Sequence, residues 1–156
     1  MTDGLTHLNE EGDAHMVHVG GKEVTMRTAK AEAIVAMPAE VQDALFAGSL
    51  PKGDALAVVR VAAIMGAKRT PDLIPLCHPI GLDAVEVDVE RVAAGARIEV
   101  TTRVAARTGV EMEAMTAAAV GAVALYDMVK GLDRGVEIAA VRLLSKTGGK
   151  SGEWYR

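Results

Sequence analysis

The sequence predicts an α+β domain with one antiparallel sheet and its helices packed on one face. Three observations carry that prediction. Val85, Val87 and Val89 alternate with Glu86, Asp88 and Glu90, the period of two that puts apolar side chains on one face of a strand. A partner follows directly, with Ile98, Val100, Thr102 and Val104 facing one way and Arg97, Glu99, Thr101 and Arg103 the other. Two longer segments, ending near Lys68 and Lys130, are apolar nearly all round and have helical length. In chain order the elements read strand, helix pair, strand, strand, helix, strand, which is the split βαβ or ferredoxin-like plan.

Each element has its own signal. Residues up to about His15 are polar without apolar periodicity and read as a loose N-terminal arm, about residues 1–14. From Thr28 to Met37, Lys30 and Glu32 alternate with alanines before an apolar finish, and this is the first strand. Pro38 opens a short helix that Gly48 ends. Lys52-Gly53-Asp54 enters the second helical stretch, which reaches Lys68; Asp54 suits the positive end of the helix and Lys68 the negative one. Between Ala67 and Pro79, three prolines at four-residue spacing forbid a continuous helix, so this segment is expected to run extended. After the two alternating strands, Thr108 and Glu111 have capping-box spacing for a long helix running to about Lys130 and closed by Gly131. A last strand around Val136 to Leu144 precedes a glycine-rich tail, about residues 146–156. At 156 residues the chain is one domain, 1–156, with room for one core and not for two.

The two long helices raise a packing problem. Between Ala55 and Ala67 only Arg60 is charged, whereas a surface helix keeps a polar face. If one side packs on the sheet, the other still needs cover, and a second subunit is the simplest cover. A crowded alanine-rich core that leaves some alanines exposed is the alternative.

Composition narrows the function. A net charge of −4 and 3% aromatic residues supply neither the positive field nor the stacking platforms of a nucleic-acid binder. One cysteine cannot form an internal disulfide, and the first residues lack the parts of a signal peptide. The expectation is a soluble, cytoplasmic protein. The charge-free run from Ala114 to Tyr126 is shorter than the roughly 20 residues a membrane span needs.

Several constellations could carry chemistry. The proline-rich segment opens with Lys68 and Arg69 and closes on Cys77 and His78. Adjacent extended residues point to opposite faces, so one of Cys77 and His78 is expected to face a ligand. Asp127 and Lys130 share a helix face, either as a surface ion pair or as an acid/base unit in which an ammonium adjusts the carboxylate. Glu111 and Glu113 stand in the first turn of the same helix, where the dipole alone would explain them. Fourteen residues separate Glu113 from Asp127, about 21 Å along a helix axis. Both can serve one small molecule only if the site is assembled from two chains; otherwise there are two sites. The tail Ser145-Lys146-Thr147-Gly148-Gly149-Lys150-Ser151-Gly152 fails the full phosphate-loop pattern, because Leu144 stands where its first glycine belongs. Its glycines and lysines still suit an anion, or are a solvated C-terminus. With Arg27, Lys52, Lys68 and Arg69 they form a dispersed cation set of the kind a polyphosphate requires. Histidines at 7, 15, 18 and 78 and one cysteine give no zinc-ligand spacing, so no metal is expected.

The phrases AKRTPDLIPLCHP, TGVEMEAMTAA, ALYDMVK and VRLLSKTGGKSG, in this order, resemble the molybdenum cofactor biosynthesis protein C family, the cyclic pyranopterin monophosphate synthases. The resemblance covers nearly the whole chain. It implies a lyase that rearranges 3′,8-cyclo-7,8-dihydro-GTP to cyclic pyranopterin monophosphate and releases diphosphate, with no redox cofactor and with magnesium at most accompanying the substrate. By the same resemblance Asp127 is the acid/base aspartate and Lys130 its partner. Leu76, Cys77 and His78 match one substrate-contacting loop, and Met112 with Glu113 a second contact. Arg27, Lys52, Lys68 and Lys146 match other polar residues around the substrate, and Glu111 stands beside them. The resemblance also implies a ferredoxin-like fold and a hexamer, a trimer of dimers with sites at subunit interfaces. The residues alone leave two other functions open: a non-catalytic module that sequesters a nucleotide or anion, and an enzyme that forms a Schiff base through Lys130 or Lys146.

Overall fold

A computed structural model describes residues 7–156; the portion of the expected arm at residues 1–6 lies outside the described residues. The elements are β1 (Thr25–Ala36), α1 (Ala39–Phe46), α2 (Ala55–Lys68), α3 (Thr70–Leu73), β2 (Ala84–Val92), β3 (Gly95–Ala106), α4 (Glu111–Val129), β4 (Glu137–Thr147) and β5 (Trp154–Tyr155). The sheet order is β2-β3-β1-β4-β5 with every pairing antiparallel. This is the ferredoxin-like α+β arrangement with one strand added at an edge.

Register explains which face the helices cover. Val87 pairs with Val100, and Val100 with Ala31, a row that continues through buried Ala29, Ala33, Val35 and Ile98. α4 lies across this face against β1, β3 and β4, and α2 packs on α4. Small residues let the two helices approach closely: a Cβ added at Gly66 would stand 2.9 Å from Val120, and one at Gly121 3.3 Å from Ala63. The opposite face of the sheet is charged. There Glu32 is buried under Arg142, whose Nε donates to Glu32 Oε1 at 2.7 Å.

Asp54, expected at the positive start of α2, stands there and also caps it, its side chain accepting from the Ala57 amide at 3.0 Å. Elsewhere the structure corrects the sequence reading. The segment 67–79 is not extended throughout: Thr70–Leu73 form one helical turn. Pro71 sits within that first turn, where a missing amide costs nothing, and buried Thr70 binds the Gly66 carbonyl at 3.2 Å. Thr108 does not cap the long helix; α4 begins after Val110, which makes no side-chain cap bond. Residues 7–15 are a turn, with Leu8 bridged to Ala14, rather than a slack arm. The tail begins later than expected, since β4 includes Lys146, and it returns along β4 as β5.

α4 has the length and apolar composition of a membrane span, although its charge-free run is short. It is the core helix of this fold, with most of its apolar side chains buried against the sheet and α2. On α2, Val58, Val61 and Met65 remain 43%, 57% and 51% exposed, and Val123 of α4 is 59% exposed. Spacing of three and seven residues puts the α2 trio in one apolar ridge.

Candidate active site

A cavity of about 400 Å³ opens where the loop before β2 meets the start of α4. Leu76, Cys77 and His78 line it from the loop, Glu111, Met112 and Glu113 from the helix, and Arg27 from β1. The structure thus gathers seven of the expected site residues around one space. The expected alternation of Cys77 and His78 does not hold, because both line this cavity. A turn in which the Cys77 amide bonds the Ile74 carbonyl at 3.1 Å replaces the extended backbone that the alternation assumed.

The electrostatics follow from burial. Glu113 is 3% exposed; burial pushes its carboxyl up to about 7, with Glu111 nearby adding to the rise against a backbone hydrogen bond. Burial, and then the charge of Glu113, raise the Cys77 thiol as well, so the thiol enters the cavity as a neutral donor rather than a nucleophile. Arg27 is fixed by bonds to the carbonyls of Ala106 (3.0 Å) and Arg107 (3.2 Å). A side chain at Gly149, which has φ of +74°, would collide with the Arg27 guanidinium. Here glycine is required by both the backbone conformation and the space.

Asp127 lies elsewhere. Lys130 Nζ is 2.7 Å from its Oδ1 and Lys52 Nζ 2.8 Å from its Oδ2, with Lys52 also donating to the Asp127 carbonyl at 2.7 Å. Hydrogen bonds from Lys130 and then Lys52 hold this exposed carboxylate well below its usual range, at about 2. The sequence had set Lys52 among the dispersed cations; it is the second partner of Asp127. Glu113 and Asp127 stand at opposite ends of α4, about 21 Å apart at 1.5 Å per residue.

Two further expected residues divide. Lys146 in β4 donates to Ser151, which lines the cavity, so it reaches the site through the tail. Lys68 is exposed at the last turn of α2 and lines none of the described cavities. Sequence reasoning missed Lys22, Thr108 and Ser151, which also border the cavity. A signal existed for Lys22: Gly20-Gly21-Lys22 repeats the Gly148-Gly149-Lys150 triplet of the tail, and the two triplets meet beside Arg27 in an adjoining depression lined by Lys22, Gly149 and Lys150. Among the described residues, no group of three or more histidine, cysteine, aspartate or glutamate side chains is arranged to hold a metal.

The family model described as "MoaC family" matches residues 16–149. A cyclic pyranopterin monophosphate synthase of Corynebacterium glutamicum (strain R) is 55% identical over 150 residues, 96% of this chain and 96% of its own. Proteins of the same name from Streptomyces coelicolor, 53% identical over 99% of this chain and 91% of theirs, and from Roseiflexus castenholzii, 54% identical over 96% of each, are similarly related. With one cavity walled by the loop and helix turn that its motifs singled out, and with matches of this extent, the chain belongs to the MoaC family.

Proposed function

We propose that the chain is a cyclic pyranopterin monophosphate synthase, a lyase that rearranges 3′,8-cyclo-7,8-dihydro-GTP and releases diphosphate. The observation that supports it most is that the 76–78 loop and the 111–113 turn wall one cavity together with Arg27. Arg27, Lys22 and Lys146 form the cationic side for the triphosphate, and positive charge there offsets what develops on the departing diphosphate. Glu113, about half protonated near pH 7, and the neutral Cys77 thiol face the guanine-derived ring as hydrogen-bonding groups.

Proton transfer falls to the Asp127 cluster. The Lys130 ammonium is the first donor, because the carboxylate it binds is too acidic to deliver a proton at neutral pH. Once Lys130 has given up its proton, the charge-assisted bond that depresses Asp127 most weakens to a contact with a neutral amine, and the carboxylate's proton affinity rises. Lys52 keeps the carboxylate oriented meanwhile. This chemistry needs no redox cofactor, and magnesium enters only with the polyphosphate.

The length of α4 supports a site shared between subunits. One chain's Asp127 cannot reach its own cavity, so each site combines the cavity of one subunit with the Asp127 cluster of another. The exposed Val58, Val61 and Met65 ridge supports contact between subunits, and the arrangement is a hexamer built as a trimer of dimers. Turnover of the cyclic dihydro-GTP substrate, read as pterin and diphosphate, is the test. Asp127→Asn and Lys130→Ala each lose at least about a hundredfold in kcat, the usual scale of a lost proton-transfer group, with an unchanged circular dichroism spectrum. Full turnover by both variants would remove the cluster from the chemistry.

A further inference from the structure

Residues 15–24 belong to no strand or helix, yet the fold holds them firmly. His78 Nε2 lies 2.7 Å from the Val17 carbonyl oxygen. A carbonyl only accepts, so Nε2 carries the proton and donates it. Farther along, Arg107 Nε donates to the Lys22 carbonyl at 3.0 Å. Between these two anchors a turn closes on itself, the Lys22 amide bonding the Val19 carbonyl at 3.0 Å.

The anchors come from the two loops that build the cavity. His78 belongs to the loop before β2, and Arg107 to the connection from β3 to α4. The segment therefore bridges the mouth between them, and Val17, Val19 and Lys22 line the cavity from that side. Arg107 also accepts from Arg27 Nη2 at 3.2 Å through its own carbonyl. One residue thus fixes both the arginine inside the cavity and the backbone that carries Lys22.

We infer that residues 17–22 form a strap that completes the outer wall of the site, and that His78 and Arg107 are positioning residues that pin it at its two ends. His78 reaches the strap through the Val17 carbonyl, with Nε2 as the donor, while the residue also lines the cavity. Arg107 acts through the Lys22 carbonyl and sets where the Lys22 ammonium meets the anionic end of the ligand. The substrate named here rests on the synthase reading; the pinning of the strap does not.

Hydrogen exchange of the full-length, substrate-free protein, followed on peptides covering residues 16–24, tests the pinning directly. Steady-state kinetics with cyclic dihydro-GTP test its consequence. Arg107→Ala and His78→Leu each speed exchange at the Lys22 amide and its neighbours about tenfold and raise KM about tenfold, as expected for loss of one strong hydrogen bond. In Arg107→Ala kcat stays within about twofold, because Arg107 does not line the cavity and the chemistry lies with other groups. His78→Gln, whose amide also donates from a similar reach, stays near wild type in strap exchange. Unchanged strap exchange in Arg107→Ala and His78→Leu would overturn the inference, as would strap exchange in His78→Gln as fast as in His78→Leu. If Arg107→Ala does not fold, the wild-type protein decides: amides of residues 17–22 exchanging at the rate of an unstructured peptide contradict a pinned strap, and slower exchange supports it. A wild-type protein that leaves the substrate unchanged refutes the synthase reading alone, since the exchange result stands without turnover.

Discussion

Replacing Glu113 by glutamine changes how stability depends on pH, and the sign can be worked out in advance. In the folded chain the carboxyl holds its proton up to about pH 7, against a reference value of 4.5 in an unfolded chain. Between those values the folded state binds more protons than the unfolded state, so stability falls as pH rises through the window. The full shift corresponds to roughly 3 kcal/mol at about 1.4 kcal/mol per pH unit. The carboxyl borders an open cavity, and screening by water there trims the figure to about 2 kcal/mol. Glu113→Gln removes the ionisation while nearly keeping the shape. Urea unfolding at one fixed protein concentration, repeated from pH 5 to 8, should show the wild type losing about 2 kcal/mol relative to the variant, and the variant should be the more stable protein at pH 8. Parallel stability profiles would refute the assignment of a buried, proton-holding carboxyl.

Other perturbations separate the features that shape the fold from those that only resemble them. Asp54→Ala removes a cap that is present and should cost about 1 kcal/mol in denaturant unfolding, whereas Thr108→Ala removes none and should cost less than about 0.5 kcal/mol. Equal costs would contradict the start of α4 after Val110. Val61→Glu places a charge in the apolar ridge of α2 and should reduce the assembly to smaller species by analytical ultracentrifugation while far-ultraviolet circular dichroism is retained. An unchanged assembly would show that this ridge is not a subunit contact.

Local patterns carried most of the fold, and tertiary contacts account for the rest. The valine alternation of β2 and the Ile98 to Val104 row of β3 were legible because period two meets one buried face, and Asp54 because its cap lies three residues from its donor. Thr108 misled because Gly109 and Val110 intervene and the side chain turns toward the cavity instead. The turn at Thr70–Leu73 was hidden because proline excludes a helix interior but not its first turn. β5 left no signal, since two residues of strand take their register from β4 rather than from their own pattern. In the site, Leu76 to His78 and Met112 with Glu113 stood out as motifs, and the fold brings them together. The Lys52 to Asp127 contact spans 75 positions, and no spacing rule reaches that far. Lys22 lies between the expected arm and the first expected strand, in a stretch assigned to neither, although its carbonyl is held by Arg107 from 85 residues away.

The central claim is that a cavity on one subunit works with the Asp127 cluster of another, and mixing two inactive variants measures it. Arg27→Glu, which reverses the charge that meets the triphosphate, and Asp127→Asn, each checked to be inactive alone, are combined in equal amounts under conditions where subunit exchange is verified by mass. In a two-fold dimer, half of the random pairs are mixed, and each mixed pair holds one site with both substitutions and one site with neither. Turnover should therefore recover to about a quarter of the wild-type rate. Complete exchange with no recovered turnover would contradict the shared site.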